Sequence, residues 1–129
     1  LPEEAEILEA GAGKIVLFHV EGPLSFGSAR DVAKLMQDST EKDALLIDLT
    51  NVPFIDSSAS MSLENVIQRL GQLGNIVIIF GARSSVIEVM RKTGVLDQLE
   101  SGHLALSNSR LEALRHARAY LEKFTGVAK

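Results

Sequence analysis

The residues best placed to carry chemistry are Asp56, Ser57 and Ser58, which stand between a predicted buried strand and a predicted helix. Asp and Ser are strong N-cap residues, because their side-chain oxygens accept hydrogen bonds from the free N–H groups of the first helical turn. The positive end of a helix also stabilises an anion or a phosphorylated serine. Taken alone, these three residues favour simple capping over a binding or phosphorylation site.

Two carboxylates and one histidine are further candidates. Asp48 and Asp56 lie near the carboxyl end of the same strand, where α/β sheets gather their ligands. They could hold a cation, but no further ligands can be named, so capping and loop hydrogen bonds are favoured. His19 has no His, Cys or carboxylate at metal-ligand spacing, which favours a packed strand histidine over a ligand or a proton carrier.

Motifs of the common enzyme classes are missing from the sequence. No G-x-S-x-G turn presents a nucleophile, Gly11 and Gly13 lack the third glycine of a dinucleotide loop, and no Gly-Lys-Ser/Thr phosphate loop occurs. The three histidines, His19, His103 and His116, are isolated from one another in sequence. We therefore predict that the protein is not an enzyme and has no metal site and no cofactor.

Length, charge and cysteine content limit the class of protein. The chain has 129 residues, so residues 1–129 are assigned to a single domain. A net charge of −4 without a concentrated basic cluster argues against nucleic acid as a partner. There is no cysteine for a disulfide, and the longest wholly apolar run, Ile76–Phe80, is far too short to span a membrane. The chain begins at Leu1 rather than Met, which fits a domain of a longer polypeptide or a processed free protein.

The hydrophobic pattern predicts an α/β fold with a mixed central sheet of about four to five strands. Residues 44–49 and 76–80 are apolar on both faces, which is typical of strands buried on both sides. Residues 6–9 and 14–20, joined by glycines, predict an antiparallel N-terminal edge, and residues 103–106 predict a short last strand. Four residues of the central strands are expected to be nearly fully buried: Ile47, Leu49, Ile78 and Ile79.

About four helices are predicted, near residues 28–39, 57–73, 85–94 and from 109 onward. Capping-box spacing occurs at Ser28 with Asp31, at Ser85 with Glu88 and at Ser109 with Glu112. Between the central strand and the second helix, Phe54 and Ile55 are expected to bury a short connection. The outer face of the last helix could bind an acidic partner, although a solvated face is favoured, and it holds Arg110, Arg115, His116, Arg118, Glu122 and Lys123.

The central sequence, residues 46–59, reads L-I-D-L-T-N-V-P-F-I-D-S-S-A and resembles the signature of STAS domains. That family comprises the anti-sigma-factor antagonists and the cytoplasmic C-terminal domains of SulP-type anion transporters. Residues 22–29, G-P-L-S-F-G-S-A, resemble the G-P-L-F-F-G-A-A turn typical of the transporter branch. Residues 75–81 and 93–97 resemble the family's later strand and the end of its third helix. The resemblance implies the STAS fold over nearly the whole chain.

By resemblance to the transporter branch, we expect a non-catalytic regulatory and interaction domain on the cytoplasmic side of the inner or plasma membrane. It would contribute to dimerisation, folding or regulation of a bicarbonate or sulfate transporter. Its expected partners are the transmembrane domain of the same polypeptide and a second copy, with no direct membrane insertion and no nucleic acid.

The alternative is a free-standing anti-sigma-factor antagonist switched by phosphorylation. In that branch the signature usually reads D-S-S-G, and a kinase phosphorylates the second serine, which aligns with Ser58. Ala59 stands here where that glycine would be. Asp56, Ser57 and Ser58 are therefore the predicted phosphorylation or docking site in either branch.

Overall fold

The computed structural model describes residues 15–37 and 44–125. Four strands form one sheet: β1 (Ile15–Glu21), β2 (Ala44–Asn51), β3 (Ile76–Phe80) and β4 (Leu104–Ser107). They alternate with four α-helices and one 3-10 helix: α1 (Phe26–Gln37), α2 (Ser57–Gln72), α3 (Ser84–Lys92), the 3-10 helix Val95–Ser101 and α4 (Arg110–Thr125). The predicted α/β class and the predicted numbers of strands and helices are confirmed.

The sheet has the order β1-β2-β3-β4, and every described pair of neighbouring strands is parallel. The predicted antiparallel edge therefore does not occur among these strands. That prediction depended on residues 6–9 and the glycines after them, which lie outside the described residues. The described sheet is purely parallel because a helix follows each of its first three strands.

Both faces of the sheet are covered, which explains why the central strands are apolar throughout. Alternate residues of β2 point to opposite faces. Leu45, Ile47 and Leu49 pack with α1, α2 and α3, whereas Ala44 and Leu46 pack with α4. The predicted burial of the four central-strand residues is confirmed, because Ile47, Leu49, Ile78 and Ile79 are each at most 1% exposed.

The helix α4 alone covers the second face of the described sheet. Its apolar stripe packs on β2, β3 and β4 and consists of Ala113, Leu114, Ala117 and Leu121. The hydroxyl of Tyr120 donates a hydrogen bond to the carbonyl of Gly74 over 2.9 Å. This bond ties α4 to the turn between α2 and β3, where Gly74 adopts a left-handed conformation (φ 93°) as expected for a residue just after a helix C-cap.

Two of the three predicted capping boxes are wrong. Helix α1 begins at Phe26, and Ser28 accepts a hydrogen bond from the Ser25 N–H (3.0 Å), so Ser28 lies in the first turn rather than at the N-cap. Helix α3 follows Arg83, which makes no side-chain cap. Ser85 thus lies inside α3, and Glu88 pairs with Arg91 instead.

The third capping box is confirmed, because Ser109 Oγ accepts from the Glu112 N–H over 3.2 Å. The Glu112 carboxylate reaches back in turn, but it accepts from the N–H of Asn108 (2.7 Å), one residue before the box.

Helix α2 approaches His103, the residue before β4, closely at Gly71, and this contact gives a testable prediction. A Cβ atom at Gly71 would lie 2.6 Å from Cγ of His103. Alanine normally stabilises a helix relative to glycine, but this overlap involves the root of the histidine side chain, which cannot swing away. We expect Gly71→Ala to lower the free energy of unfolding in urea by about 1–3 kcal/mol, as overpacking does.

The matched control for that substitution is Gly27→Ala in α1. A Cβ at Gly27 would have no neighbour within 4 Å, so this substitution should leave the free energy of unfolding unchanged or raise it by up to about 1 kcal/mol. Equal stability of the Gly71→Ala protein and the wild type would contradict the close approach of α2 to His103.

Candidate functional site

The carboxyl ends of the parallel strands meet at one edge of the sheet, where α/β proteins place their functional residues. Two groups of polar side chains lie there. The first, called the α2 mouth, consists of Asp56, Ser57 and Ser58 at the start of α2. The second, called the His19 cluster, consists of His19 and Glu21 of β1, Asp48 of β2 and Arg110 of α4.

The α2 mouth is held by the backbone of two neighbouring loops. Leu24 and Ile55 form an isolated parallel bridge, and both side chains are buried. The Leu24 N–H donates to the Phe54 carbonyl (3.0 Å), and the Asp56 N–H donates to the Leu24 carbonyl (3.1 Å). The loop after β1 and the loop after β2 therefore position the start of α2 together.

Asp56 is the N-cap of α2. Its backbone is extended (φ −89°, ψ 169°), and its Oδ1 accepts from the Ala59 N–H over 2.7 Å. This confirms the predicted capping role. Asp56, Ser57 and Ser58 are all exposed, and α2 carries no acidic residue in its first turn. The mouth thus presents two hydroxyl groups to solvent at the positive end of a helix.

Two exposed apolar side chains flank the α2 mouth. Phe54, two residues before the N-cap, is 54% exposed, and Met61, one turn into the helix, is 53% exposed. The prediction that Phe54 buries the connection is wrong, because Ile55 alone fills the inner position. Sequence reasoning missed Met61 as a surface residue, although it lies outside the apolar stripe formed by Leu63, Val66, Ile67 and Leu70. The α2 mouth and the residues that flank it therefore combine hydroxyls with apolar side chains, as protein-docking surfaces do.

The His19 cluster joins β1, β2 and α4. His19 and Asp48 are partners in the parallel register, and His19 Nδ1 lies 3.0 Å from Asp48 Oδ2. His19 Nε2 lies 2.9 Å from Glu21 Oε2. The prediction of a packed strand histidine is wrong, because the His19 side chain is 42% exposed and contacts two carboxylates.

Asp48 is the buried member of the cluster, only 4% exposed. Burial would raise the pKa of its carboxyl group, but hydrogen bonds from the Thr50 hydroxyl, the Thr50 N–H (2.9 Å) and His19 outweigh burial and hold the pKa below its ordinary value. Arg110 adds a positive charge, with Nη2 3.8 Å from Asp48 Oδ2. Asp48 is therefore ionised at neutral pH and compensated by its neighbours.

The two aspartates near the end of β2 have separate roles. Asp56 caps α2, while Asp48 bonds Thr50 and His19, so loop and capping hydrogen bonds explain both residues as the sequence favoured. Among residues 15–37 and 44–125, no group of three or more His, Cys, Asp or Glu side chains could hold a metal ion. Arg110, predicted to lie on the outer face of the last helix, instead reaches the His19 cluster, whereas Arg118 of that face pairs with Glu122 (2.9 Å).

No helix in the described part of the chain combines the length and the apolar character needed to cross a bilayer.

Comparisons with known proteins identify the family of the chain. The family model described as the STAS domain matches residues 8–111. The chain is 32% identical over 114 residues to the bicarbonate transporter BicA of Synechocystis, covering 88% of this chain and 20% of the relative. It is 31% identical over 91 residues to the putative sulfate transporter YvdB of Bacillus subtilis, covering 69% of this chain and 17% of that protein.

Solved structures agree with this relationship. The SulP transporter STAS domain of Vibrio cholerae superposes with a TM-score of 0.71 and 25% identity, covering 95% of this chain and 99% of that one. A putative anti-sigma factor antagonist of Thermotoga maritima shares the fold, with a TM-score of 0.63, 18% identity and coverage of 81% of this chain and 87% of that one. The chain spans about a fifth of the length of the transporters that it matches. The resemblance seen in the sequence is confirmed: the chain belongs to the STAS domain family, and it is related to the STAS domains of SulP transporters.

Proposed function

We propose that this chain is the cytoplasmic regulatory and interaction domain of a SulP-type membrane anion transporter for bicarbonate or sulfate. The observation that carries the proposal is the identity of 32% to a bicarbonate transporter over 88% of this chain. The similarity to a putative sulfate transporter over 69% of the chain supports the same class of protein. The domain itself is non-catalytic and acts by contact, in dimerisation, folding or regulation of the transporter.

The α2 mouth is the proposed docking surface, and the transmembrane domain of the same polypeptide is its proposed partner. The mouth is fixed by the bridge between Leu24 and Ile55, so docking would order little additional backbone. Phe54 and Met61 supply apolar area, and Ser57 and Ser58 supply hydroxyl groups that can donate or accept hydrogen bonds. A mixed surface of this kind suits a contact that forms and breaks during regulation.

The reading frame upstream of Leu1 gives a direct test. About ten or more apolar segments of membrane-spanning length, each of roughly 20 residues, would support the transporter. A start codon beside Leu1 would overturn it and favour the free antagonist.

A second test measures bicarbonate and sulfate uptake by cells that express the full reading frame. The double substitution Phe54→Ser with Met61→Ser should lower uptake, because it removes the apolar side chains that flank the α2 mouth. The control is Leu73→Ser, since Leu73 lies just after the opposite end of α2 and is 50% exposed. Equal uptake by the double variant and the Leu73→Ser control, at equal amounts of transporter in the membrane, would contradict docking through the α2 mouth.

We also expect the isolated domain to form a weak or moderate homodimer. Sedimentation velocity over a range of protein concentrations should show a monomer that shifts toward dimer as concentration rises. A single monomeric species at the highest concentration would count against any intrinsic role of this domain in pairing.

The alternative proposal, a free anti-sigma-factor antagonist, is favoured by one observation. Ser58 is exposed in the first turn of α2, where a phosphate would be stabilised by the helix dipole and accessible to a kinase. Stoichiometric labelling of Ser58 by a cellular kinase distinguishes this function from the transporter function.

A further inference from the structure

His19 makes two contacts that only its protonated form can make as hydrogen bonds. Its Nδ1 lies 3.0 Å from Asp48 Oδ2, and its Nε2 lies 2.9 Å from Glu21 Oε2. Ionised carboxylates only accept hydrogen bonds, and a neutral imidazole has one N–H and one lone pair. Both ring nitrogens can therefore donate at once only in the imidazolium. When the ring is neutral, one of the two contacts becomes a repulsion between lone pairs.

The two carboxylates differ in how easily they can leave the ring. The Asp48 side chain is 5% exposed and anchored by the Thr50 N–H, so it cannot turn toward water. Glu21 is the last residue of β1, and its side chain is 70% exposed. In the neutral ring, Nδ1 thus keeps its proton and donates to Asp48, and the contact between Nε2 and Glu21 is the one that breaks.

The charged groups that face His19 come from three elements. Glu21 belongs to its own strand, Asp48 to β2 and Arg110 to α4. Arg110 repels the imidazolium, but its Nη2 lies 3.8 Å from Asp48 Oδ2, whereas both carboxylates are within 3.0 Å of ring nitrogens. Hydrogen bonds to Glu21 and Asp48 accordingly raise the pKa of His19 above its ordinary value.

The end of β1 that Glu21 occupies is also the support of the α2 mouth. The register of β1 against β2 shifts between His19, which pairs with Asp48, and Glu21, which pairs with Asn51, so the end of β1 follows an irregularity in the ladder. The Gly22 N–H then donates to the Asn51 carbonyl (3.2 Å), and two further backbone bonds link Leu24 to Phe54 and Asp56. Glu21 is therefore followed directly by the loop that positions the N-cap of α2.

We propose that His19 is a pH-dependent contact, called the clasp, which binds Glu21 at the end of β1 when the ring is protonated and loses Glu21 when the ring is neutral. The contact with Glu21 stabilises the loop at residues 22–25 against the loop that leads into α2. The clasp is a property of the isolated domain. Its effect on docking, a weaker contact at higher pH, rests on the proposed function of the α2 mouth.

The pH range of the clasp follows from the direction of the pKa shift. The pKa of His19 is raised in the folded chain above its ordinary value of 6.5. Its stabilising contribution is therefore fully present below about pH 6.5, the pKa expected in the unfolded chain, and is lost as the pH rises through the folded pKa. This range overlaps the one in which histidines act as physiological pH sensors.

The first measurement is an NMR titration of the imidazole signals of the 129-residue chain, with the His19 signal assigned by its loss in His19→Gln. We expect His19 to titrate above pH 6.5 and Glu21→Gln to lower its pKa. The control is Glu88→Gln, which removes the same charge from α3, where Glu88 pairs with Arg91. An unchanged His19 pKa in Glu21→Gln, or an equal decrease in Glu88→Gln, would overturn the clasp.

The second measurement is amide hydrogen exchange at Gly22, Leu24 and Asp56 on either side of the His19 pKa, corrected for the intrinsic pH dependence of exchange. Protection in the wild type should fall at higher pH by at least about twofold, the lower end of the contribution of one hydrogen bond. Protection in His19→Gln should not change with pH. The same pH dependence in both proteins would refute the clasp, and neither measurement involves a transporter or a partner.

Discussion

The substitution Ile78→Ala is expected to lower the free energy of unfolding by about 2–5 kcal/mol. Ile78 lies in β3, is fully buried and pairs in register with Leu46 of β2 and Ala105 of β4. It packs in the cluster that α4 covers, where strands on both sides and a helix above leave little room for relaxation. The truncation therefore removes buried methyl groups and leaves a cavity. Urea unfolding of the wild type and the variant measures the loss.

The control for Ile78→Ala is Leu106→Ala on the edge strand β4. Leu106 is 37% exposed, so its truncation should cost about 1 kcal/mol or less. A loss below about half a kilocalorie for Ile78→Ala would mean that β3 is not the interior strand of this sheet, since no fully buried isoleucine is truncated so cheaply.

The second large effect is expected at Ser58, in transport by the full-length protein. Ser58→Glu should impair uptake, because it places a negative charge on the exposed first turn of α2, within the proposed docking surface. The helix itself tolerates that charge, since anions are stabilised at helix N-termini, so the fold should remain intact. Ser58→Ala should leave uptake nearly unchanged, because the transporter reading requires no phosphorylation of this serine.

The matched control is Ser84→Glu. Ser84 is also exposed and also begins a helix, α3. The substitution therefore adds the same charge at the same edge of the sheet but outside the α2 mouth, and it should not reduce uptake. If Ser58→Ala behaves as permanently switched and a cellular kinase labels Ser58 stoichiometrically, the transporter function should be replaced by that of the free antagonist.

Much of the fold could be predicted from local sequence. The strands β2 and β3 are unbroken apolar runs, and α2 carries its apolar residues at helical spacing, so their existence and burial followed from periodicity. The capping role of Asp56 was predictable because a carboxylate just before a helix accepts from the free N–H groups of the first turn, here that of Ala59. The start of α1 was wrong by two residues because Ser25 and Ser28 can both cap, and sequence does not decide between them.

The candidate site was only half predictable. The α2 mouth is local in sequence, whereas the His19 cluster depends on the register of two strands, which pairs His19 with Asp48 although they are 29 residues apart. A one-residue slip of that register would turn the two side chains to opposite faces. Arg110 reaches the same cluster from a third element. No spacing rule in a single sequence contains this information.

The position of α4 as the last described element has a consequence for synthesis of the chain on the ribosome. Among the described elements, the four strands and the helices of the first face are complete at Ser107, while α4, which covers the second face, is synthesised after them. At about 5–20 residues per second, the remaining 18 residues to Thr125 take roughly one to four seconds. Until then Leu46, Ile78 and Phe80 lack the helix that buries them in the folded domain, so this apolar surface can be closed only late in synthesis.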